Sequence, residues 1–181
     1  MSELEDAWAV AIAEAEARAR AAGRKDISEY LALRSANDLI RKIASDWLFT
    51  AFEIVADEAN LKAAGIQISR DDKHRFKVGA ATMTGRRLSL GKGVRLLVVE
   101  AGWPRTPRDG FIRGGGLACA NIKHRGIRSA SEQLRLVIGP GGPPRWTLQK
   151  GPEPHPEIHE ANIRDHIAIL LDDSRTDSKH S

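Results

Sequence analysis

The sequence has a single cysteine, Cys119, so it can close no internal disulfide and build no cysteine-rich zinc site. It has no stretch approaching the ~18 consecutive apolar residues of a membrane span. Glu3, Glu5 and Asp6 stand where a secretory signal would be positive, and Glu14 and Glu16 interrupt any apolar run. These absences point to a reducing, cytoplasmic setting. Nucleotide-loop chemistry is missing too. Gly85 to Gly93 holds a Gly-Lys pair, but five residues separate the glycines where a P-loop has four, and Gly93 follows Lys92 where Ser or Thr is needed. Aromatic residues make up only 5%, so a sheet that reads bases by stacking would have few rings for the task. No helix-turn-helix, zinc-finger or RRM pattern is visible.

What the chain does have is charge sorted by position. Residues 70–150 carry 17 Lys and Arg against 5 Asp and Glu, a net of +12. Residues 1–69 carry 8 against 12, and residues 151–181 carry 3 against 7, so each flank is −4. A basic field of this kind attracts phosphates, acidic surfaces or the chain's own acidic parts.

The flanks read as helix and the middle as strand. Glu3 to Ala22 is alanine-rich, with Leu4, Trp8, Ile12 and Ala15 on one side, and Gly23 stops it. A second helical stretch starts near Asp26 or Ser28 and can reach Gly65, with a break expected near Ser45–Asp46. Its stripe of Leu33, Ile40, Ile43, Trp47 and Ile54, with Tyr30, Phe49 and Phe52, reads as core. Strands are expected at about 75–84, 87–90, 93–100, 117–124, 132–138 and 145–149, and a last helix from Pro156 to Leu171. Short links favour antiparallel neighbours.

The expected fold is therefore α+β: N-terminal helices packed on one face of a mostly antiparallel sheet, closed by a C-terminal helix. It is read as one domain over residues 1–173, with a helical layer at 1–69, a basic sheet at 70–150, the last helix at 151–173 and a flexible tail at 174–181. Strand alternation puts Phe76, Val78, Ala80, Val94, Leu96, Val98, Ala118, Ala120, Ile122, Leu134, Leu136, Ile138, Trp146 and Leu148 on a core face. The other face collects Arg75, Lys77, Arg95, Asn121, Lys123, Arg125, Gln133, Arg135, Arg145, Thr147 and Gln149, with Cys119 among the apolar interruptions. The element order is similar to helix-grip folds of the cystatin type; that resemblance is architectural, shares no motif and implies no function.

The candidate binding residues follow from charge and from one loop. Residues 101–113 join two expected strands through a proline-restricted segment carrying Trp103, Arg105, Arg108, Phe111 and Arg113, residue types favoured at interfaces. With Arg95, Lys123, Arg125, Arg135 and Arg145 of the basic face they form the expected site. The function expected is a non-catalytic binding or assembly module for an anionic partner, either nucleic acid or an acidic protein surface. A second copy's acidic helices would be one such surface, so a homo-oligomer is compatible. The alternative is a small-ligand domain or enzyme with a pocket between the long helix and the sheet, where Glu100, Cys119 or His124 would converge. No catalytic residue is assigned. No cofactor or metal is implied, because His155, His159 and His166 lack a ligand motif.

Overall fold

The computed structural model describes residues 3–172, so the expected tail lies outside the described residues. The chain falls into two compact units, one ending at Ile43 and the other beginning at Ala44.

Helix α1 (Glu3–Ala21) ends as its glycine demands. Gly23 stands at φ +71°, its N–H reaches Arg20 O at 3.0 Å, and Arg24 N–H reaches Ala19 O at 2.9 Å, the paired bonds of a Schellman turn. Among the described residues of this first unit, Ile12, Ala19 and Ser28 are buried. Helix α2 (Lys25–Leu61) runs without the break expected near Ser45–Asp46. Asp46 turns its carboxylate to Arg86 at 2.6 Å instead of capping a new helix. Phe49 and Phe52 are fully buried, but Tyr30, Leu33, Ile43, Trp47 and Ile54 are exposed, so much of the stripe read as core is surface.

Six strands follow: β1 (Gln67–Val78), β2 (Ala81–Lys92), β3 (Arg95–Trp103), β4 (Ala118–His124), β5 (Ile127–Ile138) and β6 (Pro144–Leu148). Each pairs antiparallel with the next, in chain order. The last helix, α3, spans Glu160–Leu171. Its expected start at Pro156 is too early, because residues 156–158 serve the edge of β6. Leu148 N–H donates to Pro156 O at 2.8 Å, and Ile158 N–H donates to Trp146 O at 2.9 Å. The opposite edge, β1, is blunted by charge and by a register irregularity between Asp71 and His74.

Residues opposite one another across a ladder share a face. One shared face holds Leu88, Val99 and Ile122; Leu90, Leu97 and His124; Ala101, Ala120, Leu134 and Leu148; and Ala118, Leu136 and Trp146. It meets the part of α2 beyond Ala44 and it meets α3. Trp146 Nε1–H donates to Ala44 O at 2.9 Å, and Phe52 lies against His166, which stacks on His124. Leu48, Phe49, Phe52, Ile163 and Leu170 are buried here, each contributing about 1.5–3 kcal/mol by leaving water.

The expected phase holds for β4, β5 and β6, where Ala118, Ala120, Ile122, Leu134, Leu136, Trp146 and Leu148 are buried as read, but Ile138 at the end of β5 is exposed. The phase is reversed in β1 and β3. Val94 lies in the turn before β3, so Leu97 and Val99 face the helices in place of Leu96 and Val98. The expected strand 75–84 runs through a turn at Gly79-Ala80, and the irregularity in β1 resets the alternation. Phe76 pairs with Met83 and Val78 with Ala81 on the face away from the helices, and Arg75 and Lys77 fall on the side opposite them.

Candidate functional site

The face away from the helices is built from two rows. One runs His74, Gly85, Gly102, Cys119, Arg135 and Thr147 across all six strands. The next holds Arg87, Glu100, Asn121 and Gln133. Two glycines lie side by side in the first row because the strands leave no room for more. A Cβ on Gly85 would come within 1.9 Å of Ala101 O, and one on Gly102 within 2.7 Å of Thr84 O. The close approach of β2 and β3 thus leaves that stretch of the face bare of side chains.

Glu100 anchors the second row. It is 4% exposed. His74 Nε2 lies 2.8 Å from Oε2, Asn121 Nδ2 donates to Oε1 at 2.9 Å, and the Lys123 ammonium closes the cluster. Burial pushes the Glu100 carboxyl up, but the bonds from Lys123, Asn121 and His74 outweigh it and hold the group below its ordinary value. Glu100 is therefore a satisfied carboxylate and a poor general base. Arg87 is paired with Asp71 at 3.6 Å. The centre of this row is accordingly neutralised.

The 104–117 connection crosses the other part of the face. A single 3-10 turn at Pro107–Asp109 is tied by Thr106, whose N–H and Oγ1 each lie 3.0 Å from Asp109 Oδ2. Asp109 is also paired with Arg75 at 3.5 Å. The Thr106 bonds hold the Asp109 carboxyl below its usual range. Gly110 then passes close to Ala81, where an added Cβ would sit 3.1 Å from Ala81 Cβ. Ile112 packs on an apolar cluster of Phe76, Ala81, Met83 and Cys119.

Between loop and sheet lies a cleft of about 390 Å³. Its apolar lining includes Val78, Ala81, Met83, Phe111, Ile112 and Cys119, and its polar lining includes Arg113, Gln133, Arg135 and Gln149. Burial pushes the Cys119 thiol up to about 11, against the pull of Arg135, so it is a protonated wall atom at neutral pH. Arg135 is collared by the loop. Its Nη1 donates to Gly114 O at 3.3 Å, and a Cβ on Gly114 or Gly116 would strike its side chain at 2.6 or 2.7 Å. Gln149 is held by Thr147, donating to its Oγ1 at 3.0 Å.

The residues expected to form one site are thus divided. Phe111, 78% exposed, stands with Arg113 and Arg135 at the cleft. Arg145, also exposed, alternates with inward Trp146 and so shares the open face. Lys123 is bound to Glu100. Arg108 and Arg125 are exposed outside the cleft lining. Trp103 is buried at the end of β3, with the Arg105 guanidinium 4.2 Å from its ring centroid. Arg95 lies near the C-terminus of α3, with Nη1 3.4 Å from Ile169 O and 3.5 Å from Leu170 O, where a cation complements the helix dipole. The roles of Met83, Val78 and Ala81 in the cleft on the open face, and the pairing of His74 with Glu100, are not evident from the sequence pattern. An isolated glycine inside a strand, Gly102, was the available signal for close backbone approach.

His124 belongs to the opposite face. Its Nε2 lies 3.0 Å from His166 Nδ1, and His166 Nε2 lies 3.2 Å from Glu132 Oε2. Among the described residues, no group of three His, Cys, Asp or Glu side chains could hold a metal ion, and no helix is long and apolar enough to cross a membrane. No protein-family model, curated protein or solved structure matches the chain.

Proposed function

We propose that the chain is a non-catalytic binding module that engages an anionic partner on the open face of its sheet, centred on the cleft beneath the 104–117 loop. One observation carries the reading. Arg113 and Arg135 both line the cleft with no carboxylate partner among the described residues, whereas Lys123, Arg87 and Arg75 are each paired with an acid. Two guanidiniums lining one cleft, one of them fixed by its loop, favour an anionic ligand there. Glu100 and Cys119, the groups best placed for chemistry, are respectively spent in an ion cluster and protonated, which supports binding over catalysis.

The test is a titration with labelled single-stranded RNA, labelled DNA and poly-glutamate at low and high salt. Binding should weaken as salt rises, and Arg113→Ala with Arg135→Ala should reduce it at least tenfold, with Arg125→Ala near wild type. Equal affinity in the double variant would move the anion site elsewhere.

A further inference from the structure

We infer that the cleft takes a small amphipathic acid: one carboxylate or phosphate head on an unbranched or aryl apolar body. The inference rests on the anionic reading above and narrows its ligand. Three features of the cleft carry it.

The first is the size of the charged footprint. A polyanion needs a track of available cations. Here the adjoining row is neutralised, because Glu100 takes Lys123 and Asp71 takes Arg87. What remains at the cleft is Arg113 and Arg135, enough charge for one anionic head but not for the track of a polyanion.

The second is the wall chemistry. Val78, Ala81, Met83, Phe111 and Ile112 supply an apolar floor and rim immediately beside those cations. Met83 and Ala81 are already buried, but an inorganic anion would leave half-buried Val78 and Ile112 and exposed Phe111 wetted. An apolar body would cover all three. At about 390 Å³ the cleft is within the range of small-molecule sites.

The third is pre-organisation. Gly114 and Gly116 leave no space beside the Arg135 side chain, and Gly114 O accepts from its Nη1. The head-group contact is therefore set before a ligand arrives, which lowers the ordering cost of binding. Gln133 adds an exposed amide at the same mouth.

The experiment is calorimetric titration of the full chain with octanoate and octyl phosphate, each below its micellar concentration, against acetate and octanol as head-only and tail-only controls. Octanoate or octyl phosphate should bind at least tenfold more tightly than either control, and the better of the two identifies the head group. Arg135→Ala should lose at least tenfold, and Arg135→Lys should recover only part of it because a point charge cannot form the paired bonds. Ala81→Trp, which fills the floor, should abolish octanoate binding while leaving salt-dependent poly-glutamate binding in place. Thermal melts of each variant confirm that it is folded. Acetate and octanoate binding alike, or octanoate affinity unchanged in Arg135→Ala, would overturn the amphipathic ligand. If RNA or poly-glutamate binds through Arg113 and Arg135 and octanoate does not compete, the small-acid inference falls and the anionic reading stands. If no anion binds at low salt, both fall.

Discussion

His124 shows how one residue can set a pH limit. It is buried on the helix face beside His166, which in turn faces Glu132. Burial, reinforced by the neighbouring His166, pushes the His124 imidazole down to about 4. An unfolded histidine titrates near 6.5. Between about pH 6.5 and 4 the unfolded chain therefore binds a proton that the native state refuses, and stability falls as pH falls. The loss should total about 3 kcal/mol and level off below pH 4. Urea melts of wild type and His124→Leu at pH 7 and pH 4.5 measure it. The variant should lose less stability across that window. An equal drop in both proteins would assign the acid limb to other groups, such as Glu100, whose lowered carboxyl is protonated further down.

At the scale of elements, the ends of α2 are informative. Its C-terminus repeats the turn that closes α1. Ala64 N–H reaches Ala59 O at 3.2 Å and Ala63 N–H reaches Asn60 O at 2.9 Å, but the left-handed position is Ala63, at φ +62°, where α1 uses glycine. A side chain there costs about 1 kcal/mol that glycine avoids. Ala63→Gly should therefore raise stability by up to about 1 kcal/mol, read as a higher urea midpoint at unchanged slope; a lower midpoint would mean that unfolded-chain entropy outweighs the relief. Asn60 fixes the chain just beyond, accepting from Ile66 N–H at 2.7 Å and donating to Ile66 O at 2.9 Å. Elements of this sort were legible in the sequence wherever local chemistry decides them. Gly23 marked the end of α1, and alternation in β4 to β6 put Ala120, Leu134 and Trp146 inward. What was not legible depends on partners far along the chain. A break is expected near Ser45–Asp46, but the helix continues and Arg86, forty residues later, takes the Asp46 carboxylate. The face of Phe76 depends on an irregularity in β1 that no single residue announces. Trp103 reads as a candidate binding residue of the loop, yet Arg105 lies over a ring that is already buried, while Phe111, eight residues on, is the loop aromatic left in solvent.

The charge asymmetry of the whole chain resolves into pairs. Part of the basic excess of residues 70–150 is met by acids of α2: Arg86 by Asp46 at 2.6 Å, and Arg70 by Glu53 at 2.5 Å. Arg164 of α3 likewise reaches Glu58 at 2.8 Å. The arginines of the two α2–sheet pairs differ in exposure, and their acids differ in the opposite sense. The Arg86 side chain is 12% exposed and the Arg70 side chain 34%. Both guanidiniums also lie near the Phe49 ring, at 5.6 and 5.7 Å from its centroid. Removing a partner from the more buried cation leaves it poorly solvated, whereas the more exposed one regains water. Asp46→Ala should therefore cost about 1–3 kcal/mol and Glu53→Ala about 0.5–1 kcal/mol, even though Glu53 holds its arginine through two bonds. Raising NaCl from 0.1 to 1 M should shrink the Glu53 effect more than the Asp46 effect, since Arg70 is the arginine more open to screening ions. Urea melts of both variants at the two salt concentrations decide it. Equal costs with equal salt dependence would mean that the exposure of the arginine does not set the strength of its pair, and no cost in either variant would mean that the helix–sheet contact is held by Phe49, Phe52 and Trp146 without the pairing of acidic helix and basic strands.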